Sequence, residues 1–205
     1  MNSPDVTMMI LVHNAFRHDL AAMSELVTAE DPVALDTLRT RWHTFSTYLN
    51  IHHTAEDQTL WPLLEAKLGT RTTLLTDMTE EHARLDPLVE KIETALAQSF
   101  STELPALLAQ LSETLAAHLD HEESAALPLI EQALSAREWN SFAAAQRRQV
   151  GIAGAARVFP WLLDGASDTE TRHALGLLPA PLRLVYRTVW QPRYRRGLHP
   201  ATLSH

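Results

Sequence analysis

Two segments of this sequence carry histidine and glutamate at a spacing that suits metal chemistry. His52 precedes Glu56 by four residues, and His118 precedes Glu122 by the same interval. On a helix that interval places both side chains on one face a single turn apart, close enough to share a dimetal cluster. Two more histidines, His13 and His82, stand alone in other apolar stretches. The pairs belong to an internal repeat: His52, Glu56, Asp57, Pro62 and Leu63 recur 66 positions later as His118, Glu122, Glu123, Pro128 and Leu129. Each half offers one lone histidine and one His-x-x-x-Glu pair. One metal per half, bridged by the glutamates, is the natural construction.

Such residues need rods to hold them. The chain has only six glycines, its prolines cluster where helices should start or stop, and strand-type alternation is absent. An all-α fold follows, an antiparallel up-down-up-down four-helix bundle with helices predicted over residues 4–29, 33–68, 71–99 and 103–134. Asp31-Pro32 should open the second helix, Gly69 should end it, and Pro62 is expected to kink it or end it early. Ser101 or Thr102, with Pro105, should open the fourth.

Residues spaced alternately three and four apart trace one seam per helix. The first reads Met9, His13, Phe16, Leu20, Met23, Val27, and the second Leu38, Trp42, Phe45, Leu49, His52, Glu56. The third reads Leu75, Met78, His82, Leu85, Val89, Ile92, Leu96, and the fourth Leu104, Leu108, Leu111, Leu115, His118, Glu122, Ala125, Leu129. Histidine interrupts every apolar seam, and glutamate follows one turn later in two. A single such histidine would be read as a core residue bonded to a carbonyl. Six interruptions in four seams call for another cause, because an ionised carboxylate in a core costs several kcal/mol unless a charge compensates it. A metal supplies that charge. Helices joined by short loops run antiparallel, and at ~1.5 Å per residue the six groups fall at one height to within about a turn.

Composition narrows the chemistry. The chain has no cysteine, which excludes disulfides, thiolate sites, iron–sulfur clusters and cysteine nucleophiles and leaves nitrogen and oxygen to hold a metal. No apolar run reaches the ~18 residues of a membrane helix. The first residues lack a secretory pattern, so a cytoplasmic location is expected. Residues 147–205 hold nine Arg against three Asp and Glu, net +6, leaving −14 of the total −8 on the remainder. A basic tail folding onto an acidic body is expected, with neither nucleic acid nor membrane as partner. The chain is divided into a bundle, 1–134, and a basic, aromatic-rich helical extension, 135–205, packed on it and available as a homodimer surface. Pro179 and Pro181 should open its last helix, to about Arg196.

These motifs resemble the hemerythrin, or HHE, family of cation-binding bundles over about residues 8–134. The matching pieces are His13-Asn-Ala-Phe-Arg, His52-His-Thr-Ala-Glu56-Asp with Trp61-Pro62-Leu63, Glu81-His82, and His118-Leu-Asp-His-Glu122-Glu with Leu127-Pro128-Leu129. The resemblance implies a diiron centre with His13, His52, Glu56, His82, His118 and Glu122 as ligands, bridged by oxo or hydroxo and the two glutamates. Manganese or zinc would fit the same cage. Oxygen carriers of the family have a second histidine one turn after the third-helix ligand, where this chain has Asp86. Asp86 is therefore either a seventh ligand or a solvated flank. The last carboxylate is a glutamate four residues after its histidine, unlike the carriers' aspartate at five, which argues against simple oxygen carriage.

Several polar residues fall outside the seams. His53 with Asp57 offers a rival frame, but Trp42, Phe45 and Leu49 define a seam that selects His52 with Glu56. His18, His121 and Glu123 are expected at the surface or orienting ligands. Tyr48 is read as an ordinary bundle tyrosine, and His173, His199 and His205 as solvated. The expected function is that of a non-haem diiron protein that binds or reacts with dioxygen, peroxide or nitric oxide in sensing, detoxification or redox chemistry. The alternatives are an iron- or oxygen-responsive module signalling to a protein partner, and a diiron oxygenase with an organic substrate.

Overall fold

The computed structural model describes residues 3–28, 32–69, 72–98 and 101–198. Four long helical rods form the bundle. The first is α1 (Thr7–Val27). The second comprises α2 (Pro32–Ala55), a π-turn (Glu56–Leu60) and α3 (Trp61–Leu68), and the third is α4 (Thr73–Ala97). The fourth comprises α5 (Leu104–His121), a π-turn (Glu122–Ala126) and α6 (Leu127–Ala133). Helix α1 packs on α2 and α5, and α4 packs on α5 and α2, which closes the ring. No strand occurs among the described residues.

Both π-turns begin at a seam glutamate and end just before a proline. Trp61 N–H bonds the Glu56 carbonyl and Leu127 N–H bonds that of Glu122, five residues back in each case. Pro62 and Pro128 come next. In a plain α-helix a proline ring collides with the carbonyl four residues earlier and leaves it without a donor. One extra residue in the turn moves that carbonyl aside. Pro62 therefore does not end the second rod, which continues to Leu68. The extra residue also shifts the seam. Ala125 and Leu129 were expected inside, whereas Ala126, Leu127 and Ile130 are the buried residues. In α4, Leu88 is buried where Val89 was expected.

Gly69 ends α3 at φ 72°, the left-handed conformation that favours glycine. Neither Ser101 nor Thr102 caps α5: Glu103 holds that position with no side-chain cap, and Pro105 lies in the first turn. Asp31, the expected cap of α2, lies outside the described residues, as do the predicted helix ends at 29, 71 and 99.

A polar layer divides the core in two. On one side Met9, Leu60, Trp61, Leu64, Leu75, Met78, Leu127 and Ile130 pack together with Trp139 and Phe142. On the other, Phe16, Leu20, Trp42, Phe45, Leu49, Leu85, Ile92 and Leu115 pack with Trp161, Leu162 and Leu175. The second cluster includes residues from beyond the bundle. There α7 (Ala136–Leu162), opened by a Ser135–Glu138 capping box, is followed by α8 (Asp168–Gly176), α9 (Ala180–Val185), a third π-turn (Tyr186–Trp190) and α10 (Gln191–Leu198).

Polar contacts fix this extension. Trp161 lies 5.2 Å from Phe16 and 4.9 Å from Tyr48 by ring centroids, and its indole N–H donates to Asp19 at 3.0 Å. Asp19, itself buried, pairs with Arg41, which also reaches Asp164 at 3.4 Å. Burial pushes the Asp19 carboxyl upward against the pull of Arg41. Gly165, at φ 78°, lets the chain turn where a Cβ would lie 2.7 Å from the His18 ring. Trp161→Phe leaves one oxygen of a buried carboxylate without its donor. This substitution should lower the unfolding free energy by about 1–3 kcal/mol, read as a lower denaturant midpoint at unchanged slope.

Candidate metal centre

His13, His52, Glu56, His82, His118 and Glu122 all lie in the dividing layer, each 0–4% exposed. The structure brings all six together, and they come from all four rods, as the seams predicted. His13 Nε2 stands 3.2 Å from His52 Nε2 and 3.2 Å from Glu122 Oε2. His82 Nε2 stands 3.2 Å from His118 Nε2 and 3.4 Å from Glu56 Oε2, while Glu56 Oε1 lies 3.2 Å from His52 Nε2. Glu56 thus reaches both histidine pairs.

The outer nitrogens decide what the inner ones can do. His13 Nδ1 donates to Glu123 at 2.9 Å, His82 Nδ1 to Asp57 at 3.0 Å and His118 Nδ1 to Glu81 at 2.9 Å. A neutral imidazole that carries its proton on Nδ1 has a lone pair on Nε2. The inner nitrogens therefore face one another, and the glutamate oxygens, as donors of electron density. None of the four oxygens of Glu56 and Glu122 has a hydrogen-bond partner. Lone pairs and carboxylate oxygens assembled at 3.2–3.4 Å in an apolar interior repel unless a cation lies among them. The residues fit a bound metal cation.

Protonation behaviour follows the same field. Burial, with the neighbouring histidines, pushes His52 well below its ordinary value, and burial pushes Glu56 well above its own, with Glu122 adding to the effect. At His13 burial opposes the cation, but Glu122 and Glu123 outweigh it and raise the pKa. Outside the layer, the hydrogen bond from His13 holds Glu123 below the usual carboxylate range, with Arg17 assisting at 2.8 Å. Burial works against Glu81, yet bonds from His118 and His121 keep it low.

Asp57 and Glu123 are repeat mates, and each crosses to the lone histidine of the opposite half. Glu123 and His121 are thus groups that orient, as expected of residues off the seam. Asp86 is exposed, so it is the solvated flank and not a ligand. Tyr48 packs on Trp161, and burial pushes its phenol up to about 12. His18 lies 3.9 Å from Asp164, and His173 is half-buried, 3.7 Å from Asp5, where it was expected in solvent. His199 and His205 lie outside the described residues.

His53 is the correction. The seam argument put it off the core, but it is 7% exposed and stacks on His82 at a ring distance of 4.0 Å and 12° between planes. Two groups of ligand atoms close enough to hold an ion result: His53, His82 and His118, and His13, His52, Glu56 and Glu122. A signal for His53 was visible in the adjacent His-His pair with Asp57 four residues on, but choosing a single frame discarded it.

Fold and site together define an all-helical bundle with a buried nitrogen–oxygen site for cations. Residues 5–130 match the family model of the hemerythrin HHE cation binding domain. The chain belongs to that family. Comparisons with curated proteins and with solved structures each returned no match. No helix among the described residues is long and apolar enough to cross a membrane.

Glu56→Gln separates the cost of the carboxylate from its use. Above the ordinary value of 4.5 the unfolded chain releases the Glu56 proton while the folded, chelator-stripped protein retains it, so stability falls as pH rises toward the folded pKa. The glutamine variant should equal the stripped wild type near pH 4. It should become more stable by about 1–3 kcal/mol at neutral pH, while holding less metal. Melting curves across pH, paired with metal analysis, check both halves.

Proposed function

We propose that this chain is a non-haem diiron protein that binds or reacts with a small oxidant, dioxygen, peroxide or nitric oxide, in sensing, detoxification or redox chemistry. The observation that supports this reading is the inward-facing set of Nε2 lone pairs and unpartnered glutamate oxygens in a layer closed off from water. Imidazole and carboxylate without thiolate suit iron, and manganese or zinc fit the same donors. When bound, an iron pair supplies changes of valence and open coordination positions.

The chain's own residues do the rest. Glu56 and Glu122 contribute negative charge that would offset part of the charge of bound cations, and Glu56, whose oxygens reach both histidine pairs, would with Glu122 hold the two together. Glu123, Asp57 and Glu81 hold protons on the outer nitrogens of His13, His82 and His118 and fix the orientation of those rings. Phe16, 5.5 Å from His52, and Trp161 behind it keep water from that side. With every group of the layer at most 7% exposed, the space suits a ligand of a few atoms better than an organic substrate.

A second reading, an iron- or oxygen-responsive module, is favoured by one contact: the extension reaches the layer through Trp161, Phe16 and His52. Freshly purified protein should contain about two irons per chain, one for each group of donors, and show an oxo-to-iron charge-transfer band. Peroxide should then be consumed or change that spectrum. Binding of two irons with no response to peroxide, dioxygen or nitric oxide would move the assignment to the second reading, and absence of iron would overturn both.

A further inference from the structure

We propose that His53 is a fifth imidazole ligand, so that one cation is held by His53, His82 and His118 and the other by His13 and His52, with the two glutamates between them. The proposal rests on the diiron reading and adds a residue to it. Four observations converge on His53.

Its side chain is 93% out of water, yet its Nε2 has no hydrogen-bond partner. A buried histidine kept for packing bonds a carbonyl, a carboxylate or water, because a buried ring nitrogen left unmet loses its hydration with nothing in return. A ring nitrogen of His53 also lies within 4.8 Å of ligand atoms on His82 and His118, whose Nε2 atoms are themselves 3.2 Å apart. Its ring lies face to face with His82 at 4.0 Å and edge-on to His118 at 5.4 Å, which places it in the polar layer; to share a cation with His82 it turns out of that stack, so that the two in-plane lone pairs converge.

The fourth observation is the broken repeat. Position 53 corresponds, 66 residues on, to Leu119, which is fully buried in the larger apolar cluster. The fold therefore places a core side chain there and accepts leucine in one half. Histidine in the other half is not required for packing. It faces α4, where Asp86 lies in solvent, so no side chain one turn after His82 supplies the third nitrogen.

An unsymmetrical centre follows. His13 and His52 would supply two nitrogens to one cation, and His53, His82 and His118 three to the other.

The test uses the full chain loaded with iron. His53→Leu copies the residue that the repeat already tolerates. It should fold with an unchanged helical circular-dichroism spectrum while iron falls from about two to about one per chain. The two ferric Mössbauer doublets of the wild type should become one. His53→Gln, which keeps a polar group in the slot, gives the same readout should the leucine variant not fold. Retention of two irons with both doublets unchanged in the variant would overturn the role of His53 and leave the diiron reading intact. A wild type that binds no iron would overturn the two together.

Discussion

Two glutamates with no exposure to water lie in the middle of an apolar bundle, and their four oxygens accept no hydrogen bond. Around them the inner nitrogens of His13, His82 and His118 present lone pairs. Hydrophobic burial favours the four rods, but this layer opposes their closure, because each buried group of negative potential loses its water without gaining a partner. The opposition disappears when positive charge enters. Binding energy of a cation would then be folding energy, and six polar interruptions in otherwise apolar seams are what a cation site calls for and a packed core does not. The division of the core into two apolar clusters has the same cause.

The π-turns belong to this arrangement. Each starts at the glutamate of a His-x-x-x-Glu pair, and each is followed by a proline. The wider turn begins where a carboxylate must project toward the bundle axis, and the extra residue restores the apolar seam on the far side, with Leu60 and Leu64 in one rod and Ala126 and Ile130 in the other. Pro87 and Pro160 lie within α4 and α7 with no such turn, so proline alone does not produce it. The third π-turn, Tyr186–Trp190, again precedes a proline, Pro192, but carries no glutamate and no metal-type donors. Backbone geometry and ligand chemistry are separable, and they coincide where the repeat puts them.

Much of this was legible in the residues. Seams of period 3.6 fix which face of each rod turns inward, and they found His13, His52, Glu56, His82, His118 and Glu122 because a polar residue in an apolar seam is a strong signal. Residue counts from the shared turns put the six groups at one height, and the 66-residue repeat supported that placement. What stayed hidden did so for identifiable reasons. A seam assumes a constant helical period, so the extra residue at Glu122–Ala126 misassigned Ala125 and Leu129. A seam also has one line per helix, whereas a rod in a four-helix ring faces two neighbours. His53 lies on the second line, toward α4, and a one-line reading discards it. The cross-links from Asp57 to His82 and from Glu123 to His13 join residues 25 and 110 positions apart, a relation no local pattern contains.

The extension joins the bundle through charge as well as apolar area. Arg41 on α2 sits between Asp19 of α1 and Asp164 in the turn after α7, and the Tyr194 hydroxyl of α10 donates to Asp164 at 3.4 Å. The basic tail meets the acidic body here in an unexpected sense: the cation belongs to the bundle and one of the anions to the tail. Removing one member of a buried charge network costs more than the network contributes as a whole, because the remaining charges keep their desolvation penalty. Asp19 holds Trp161 by its indole N–H, Trp161 packs on Phe16, and Phe16 lies against His52. A displacement of the extension would therefore open the Phe16 side of the layer and leave Asp19 short of a donor, so the same contacts that hold the tail in place also keep water from His52.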